Sequence, residues 1–342
     1  MKRVGIKDVA EAAGVSIATV SYVINNKPSK VLTAETVDRV NDAIKTLGYV
    51  PNLAARALAG NRSRLLGVVI PQTEPGKAFL FSNPFYGELL SSIEYTARIN
   101  GYHIMVSGAG ADQTYLEVAK TRGLDGIIVV GTYPEEHLNE AQAPVVLVDS
   151  YWDENIFHTI GIDDERGGYM AARHLLDKGH VRIAHVTGQL KDGGVNQRRY
   201  LGYRKALGEA GIAFDPALLY EGTVSFEYGI EAGERIACDA GELGISAAFA
   251  AADITAAGLC KGVHAGGLSV PGDISVVGFD DTRLAEICHP PLTTIRQDVT
   301  LKGQKAVEAL IKPEGGRQTL TLPLSLTERE SVIERGKTAG KT

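Results

Sequence analysis

No stretch of this sequence approaches the roughly 20 consecutive apolar residues that a bilayer-spanning helix requires, and the charged N-terminus MKRVGIKDVAEAAG lacks the apolar centre of a secretory leader. Both absences predict a cytoplasmic protein without a membrane partner. Cysteine is scarce: Cys238, Cys260 and Cys288 are far apart and form no CxxC pair, which argues against a disulfide framework or thiolate metal site and predicts reduced thiols. The eight histidines lack metal-ligand spacing, and GxSxG, HExxH and GxxxxGK(S/T) do not occur. GAGADQ after HIMVS lacks the third glycine of a dinucleotide fingerprint and reads as a loop. The expectation is a protein that is not an enzyme and that uses neither metal nor cofactor.

What is present suits two or three globular units: 342 residues, 44% hydrophobic and 22% charged. The net charge of −6 is unevenly spread. Residues 1–64 carry ten Lys+Arg against five Asp+Glu, and the rest carries 25 against 36. A basic head on an acidic body is suited to a polyanion at one end, although lysines that merely solvate a small domain give the same count.

In that head, KDVAEAAG places Val9, Ala10 and Ala13 on one helical face, and Gly14 supplies a stop. Ser16 caps a second short helix, IATVSYVIN, with Val20, Val23 and Ile24 inward. Ala10, Gly14 and Val20 thus have helix-turn-helix spacing, with Ile17, Ala18, Ser21 and Tyr22 facing out toward a major groove. A third helix runs from the Thr33 cap to Gly48, with Val37, Val40, Ile44 and Leu47 on one face. NLAARALAG, between Asn52 and Gly60, is only about two turns long and marginal alone. Ala55 and Leu58 on one face make it either a minor-groove wedge ordered by DNA or a bare linker.

From residue 65 onward, seven β-rich runs (LLGVVIP, HIMVSG, GIIVVG, VVLVD, RIAHVTG, AAFAAAD and ISVVGFD) alternate with helical patterns. Continuous apolar strands between helices predict an α/β fold of two doubly wound parallel-sheet lobes, with a break near residues 150–162 and a ligand cleft at the strand ends. Asp149, Asp253 and Asp280 end such runs. They can accept hydrogen bonds from sugar hydroxyls, or simply cap helices and turns. Phe79 and Phe81, in the long loop after the first run, could stack on a sugar or base or pack the lobe edge, as could Phe85. The charged pairs of DDERGGYMAARHLLDKGH read as a solvated helix face. The tail RGKTAGKT has no leucine heptads, which argues against a coiled-coil tetramer.

IKDVAEAAGVSIATVSYVINN, then TLGYVPNLAARALAG, then RLLGVVIP resembles the lactose/galactose repressor family of bacterial transcription regulators, and the likeness continues to about residue 335. The resemblance implies a helix-turn-helix headpiece over residues 1–50, a hinge helix and linker over 51–64, a two-lobed core similar to periplasmic sugar-binding proteins over 65–335, and a flexible tail over 336–342. It implies phosphate contacts for Ser16, Thr19, Asn25 and Asn52, base reading by Ile17, Ala18 and Tyr22, and intercalation by Leu58. Asp280 and Arg199 match effector-gripping positions; Asp149, Asp163 and Gln297 match more loosely. In the head, two positions depart from the family pattern: Gly5 replaces a capping threonine, and Tyr22 stands where a guanine-reading arginine is common. Ala252 replaces the asparagine that often precedes Asp253, so a polar contact is expected to be missing there. The implied function is a homodimeric repressor of a palindromic double-stranded operator, tuned by a small-molecule effector, a sugar or sugar phosphate. The alternatives are the same fold answering a purine base or a phosphoprotein corepressor, and a sugar-binding protein or enzyme with a fused DNA-binding head.

Overall fold

Among the described residues of the basic head, short caps and stops shape three helices, α1 (Ile6–Ala13), α2 (Ile17–Ile24) and α3 (Ala34–Leu47). The computed structural model describes residues 4–24, 32–49, 63–71, 80–109, 123–131, 143–151, 157–191, 193–312 and 318–335. The chain divides into two units, Met1–Arg64 and Leu65–Thr342.

In the first unit, Gly5 begins α1 without a side-chain oxygen, and Asp8 compensates by accepting the Gly5 N–H at 2.7 Å. The helix ends at Gly14, whose φ of 64° a β-carbon would disfavour. Ser16 Oγ accepts from the Thr19 N–H at 3.1 Å and caps α2, and Thr33 Oγ1 does the same for Thr36 at 3.3 Å on α3. Val9, Ala10, Ala13, Val20, Val40 and Ala43 are buried together, with Val23, Ile24, Ile44 and Leu47 packed around them. Small residues on α1 let three short helices share one core.

The second unit holds two six-stranded sheets. The first contains β1 (Leu65–Pro71), β2 (His103–Ala109), β3 (Gly126–Val130), β4 (Val145–Val148), β5 (His158–Ile162) and β11 (Thr319–Leu322), in the order β11-β5-β4-β3-β1-β2 and parallel throughout. The second contains β6 (Ile183–Gly188), β7 (Leu219–Gly222), β8 (Ala247–Ala250), β9 (Ser275–Asp280), β10 (Thr293–Gln297) and β12 (Leu324–Thr327), in the order β12-β10-β9-β8-β6-β7, with only β12 antiparallel. Both orders follow the same doubly wound scheme, whose ligands bind beyond the carboxyl ends of the strands.

Helix α4 (Pro84–Ile99) packs with α10 (Val299–Ile311) on the first lobe. On the second, α5 (Asp164–Asp177) packs with α6 (Val195–Glu209), and α7 (Phe226–Leu243) with α8 (Asp253–Ala265); α9 (Arg283–Ile287) is a single short turn of helix. The α5–α6 crossing is close enough that a β-carbon on Gly168 would lie 2.0 Å from the Arg199 carbonyl oxygen, and one on Gly202 1.9 Å from that of Glu165. Glycine is required there by contact.

The seven runs read from sequence all form strands, but β5, β7, β10, β11 and β12 are additional. These five are short, and their pattern is partly polar, as in TTIRQ and TLTL. The expected single break is three crossings between lobes: after β5, between β10 and α10, and between β11 and β12. GAGADQ extends beyond the described residues. Among the described residues no helix is long and apolar enough to cross a membrane.

Candidate functional site

On α2, Ile17 (44% exposed) and Ala18 face solvent, while Thr19, Ser21 and Tyr22 are half-buried beside them. Ser16 and Thr19 also share a hydroxyl contact at 2.9 Å. The expected reading face therefore lies along one short, capped helix whose opposite side is anchored by Val20. Asn25, Asn52, Ala55 and Leu58 lie outside the described residues, as does Phe79.

In the core, the crossings bring distant polar residues together. Lys302 on α10, fully buried, donates to Asp149 Oδ1 at 2.6 Å and to Gln297 Oε1. Gln297 Nε2 donates to Asp280 Oδ1 at 2.6 Å, and Arg199 Nη1 stands 3.8 Å from that same oxygen. Arg199 also donates from Nε to Asp164 Oδ1 at 2.7 Å and from Nη1 to the Ala251 carbonyl at 2.5 Å. The Tyr151 hydroxyl donates to the other oxygen of Asp164. One polar chain thus runs from the first lobe (Asp149, Tyr151, Lys302) to the second (Gln297, Asp280, Arg199, Asp164). At the same junction Glu88 on α4 accepts from the Arg283 N–H at 2.9 Å.

The backbone is strained where the chemistry sits. Asp149, Asp280 and Asp281 have φ of 52°, 114° and 58°, which side-chain-bearing residues rarely adopt, and all three follow or end a strand at the junction. Burial pushes the Asp280 carboxyl up to about 6, against the pull of Arg199 and Gln297. Burial, aided by the Asp280 charge, pushes Asp253 up to about 8, against hydrogen bonds from Thr282 and Thr294. Asp164 is likewise raised by burial and partly held down by Arg199. For Arg199, burial opposes the charged form, but Asp164 and Asp280 outweigh it and raise its pKa.

Asp149, Arg199, Asp280 and Gln297 are therefore brought together. Asp163 instead caps α5, accepting the Arg166 N–H at 2.8 Å. Phe81 is 57% exposed in a short 3-10 turn, and Phe85 is buried on α4, its ring centroid 5.5 Å from Lys302 Nζ. Asp253 accepts from Thr282 N at 2.8 Å, Thr282 Oγ1 at 3.1 Å and Thr294 Oγ1 at 2.7 Å, while Ala252 before it makes no side-chain cap bond.

Three members of the network went unread in the sequence: Asp164, Lys302 and Tyr151. The solvated face expected for DDERGGYMAARHLLDKGH is corrected at Asp164, which is buried against Arg199. A signal existed. Asp164 precedes Gly167, Gly168, Ala171, Ala172 and Leu175 on the buried stripe of α5, and Lys302 lies among Val299, Gly303, Ala306, Val307 and Leu310 on that of α10. A charge at helical spacing within an apolar stripe must be paired.

Residues 5–52 match the family model of bacterial regulatory proteins, lacI family, and residues 172–332 match a periplasmic binding protein-like domain. The HTH-type transcriptional regulator DegA of Bacillus subtilis (strain 168) is 35% identical over 344 residues, covering 96% of this chain and 97% of the relative. A lac repressor dimer bound to operator and the anti-inducer ONPF superposes with a TM-score of 0.81 at 30% identity, over 97% of this chain and 100% of that one. A complex of the transcriptional regulator CelR with cellobiose gives a TM-score of 0.67 at 28% identity, over 96% of this chain and 100% of that one. With its helix-turn-helix head and its two doubly wound lobes, the chain belongs to the lacI family of bacterial regulatory proteins and is a DNA-binding transcriptional regulator under effector control.

Proposed function

We propose that the protein is a cytoplasmic homodimeric repressor whose operator affinity is set by a sugar or sugar phosphate held at the junction of the core lobes, without a cofactor. The observation that carries this is the buried chain from Asp149 through Lys302, Gln297 and Asp280 to Arg199, which ties the two lobes together at strand ends. A polyhydroxylated ligand entering there exchanges hydrogen bonds with both lobes at once and so favours one relative arrangement of them. That preference is passed to DNA affinity by linkage of about 1 to 3 kcal/mol. The regulator solved with cellobiose supports a sugar as the ligand class.

On DNA, Ile17, Ala18 and Tyr22 read base edges with Ser21 beside them in the major groove, and Ser16, Thr19, Asn25 and Asn52 hold the backbone, with Ala55 and Leu58 in the minor groove. Two copies serve a palindrome, as in the lac repressor dimer bound to operator. The second copy is best placed on the face carrying Tyr95 (56% exposed) and Ile99 (61%) of α4 and Val106 on the edge strand β2. Thermal-shift screening of carbohydrates, sugar phosphates and nucleobases, followed by operator titration with each hit, tests the proposal. A sugar that raises the melting temperature and changes operator affinity is expected; a nucleobase doing so instead would replace the ligand class.

A further inference from the structure

We infer that Arg198 is a ligand-binding residue of the junction and that the effector carries an anionic group, a carboxylate or a phosphoryl, on its sugar. The inference rests on the proposed sugar-binding role of the junction and narrows its ligand class.

Among the described residues, Lys302, Arg199 and Arg198 approach the buried polar chain, and the first two are committed. Lys302 is fully buried and held by Asp149 and Gln297. Arg199 is held by Asp164 and the Ala251 carbonyl. Arg198, the preceding residue on α6, forms no ion pair and its buried Nε has no hydrogen-bond partner among the described residues. Its guanidinium lies 3.9 Å from the centroid of the Tyr151 ring, which comes from the opposite lobe. The Tyr151 hydroxyl is in turn held by Asp164. Among the described residues the guanidinium is thus held by stacking and by no carboxylate, which leaves donor capacity for a ligand.

A buried guanidinium donor left unsatisfied is unfavourable and calls for a missing acceptor. Arg198 sits in the first turn of α6, where the helix dipole adds to the attraction for negative charge. An acceptor reaching Arg198 meets side chains of both lobes, because the platform beneath the guanidinium is Tyr151. The hydroxyls of the same ligand can be received by Asp149 and Asp280, whose described bonds all fall on Oδ1. A sugar with one acidic group satisfies both halves of the site. Carboxylate and phosphoryl share the planar or bidentate chemistry that arginine recognises.

The test is a thermal-shift and calorimetric titration of the intact protein with matched probes: glucose, glucuronate and glucose 6-phosphate; galactose and galacturonate; ribose and ribose 5-phosphate; and inorganic phosphate as a control. An acidic sugar is expected to bind roughly 10- to 100-fold more tightly than its neutral counterpart, and which acid responds separates carboxylate from phosphoryl. Arg198→Met is expected to abolish that preference while leaving the urea midpoint in place; Arg198→Gln is the second variant should the first fail to fold. Equal affinity for the neutral and acidic members, or an unchanged preference in the Arg198 variants, overturns the inference and leaves the sugar pocket standing. Silence across the whole panel removes the sugar pocket and the inference together.

Discussion

Tyr22 is half-buried on a helix whose exposed residues, Ile17 and Ala18, are apolar. An arginine there would offer a bidentate fork to guanine; the phenol offers one hydrogen bond and a ring edge that suits a thymine methyl. Tyr22→Arg is therefore expected to shift base preference at one symmetric position of each half-site by about 1 to 3 kcal/mol, read by selection from randomised duplexes, and identical consensus sites would contradict it. Buried carboxylates give a second prediction at this scale. The folded-state pKa of Asp253 is raised, so its contribution to stability is full below the ordinary carboxylate range and is lost as pH rises toward about 8. Asp253→Asn, which cannot ionise, is expected to gain stability relative to the parent between about pH 4 and pH 8. Melting curves of the two proteins across that range check it; a difference independent of pH would refute it.

At the scale of elements, the α5–α6 crossing holds Arg199 where it can reach Asp164. Gly168→Ala is expected to destabilise the core by about 1 to 3 kcal/mol or more through overpacking against the Arg199 backbone, and to weaken the effector response with it. Gly208→Ala on the same α6 is the contrast: its new methyl meets nothing within 4 Å, so it is expected to be neutral or to stabilise by about 0.5 to 1 kcal/mol. Urea midpoints of the two variants separate packing from helix propensity. Most of these elements are legible in sequence. Gly14 and Gly48 mark helix ends, Ser16 and Thr33 mark starts, and GIIVV and VVLV announce fully buried strands. β10 and β11, reading TTIRQ and TLTL, are not legible in this way, because threonine-rich runs of four or five residues carry little hydrophobic signal.

For the whole molecule, the proposed function depends on a second copy and on the relative arrangement of the lobes. Ile99→Arg places a charge in the exposed apolar face of α4, and the expected outcome is a monomer in sedimentation that still melts cooperatively and responds to ligand but loses tight operator binding. A dimer that persists in this variant moves the interface elsewhere. The buried junction network was only partly readable at this scale. Asp280 and Arg199 were legible through the family pattern, whereas Lys302 and Asp149 are 153 residues apart in sequence, and their pairing is invisible to local periodicity.

By itself, the sequence determined what depends on near neighbours: caps, helix ends, the apolar face of each head helix, and the strands whose burial on both faces demands unbroken aliphatic runs. Only the tertiary structure decided which sheet each late strand joins. β11 and β12 are separated by Pro323 alone yet enter different lobes. That crossing and its two companions bring Asp149, Lys302, Gln297, Asp280, Arg199 and Asp164 into one buried chain, because a charge removed from water must find its partner wherever the topology delivers one.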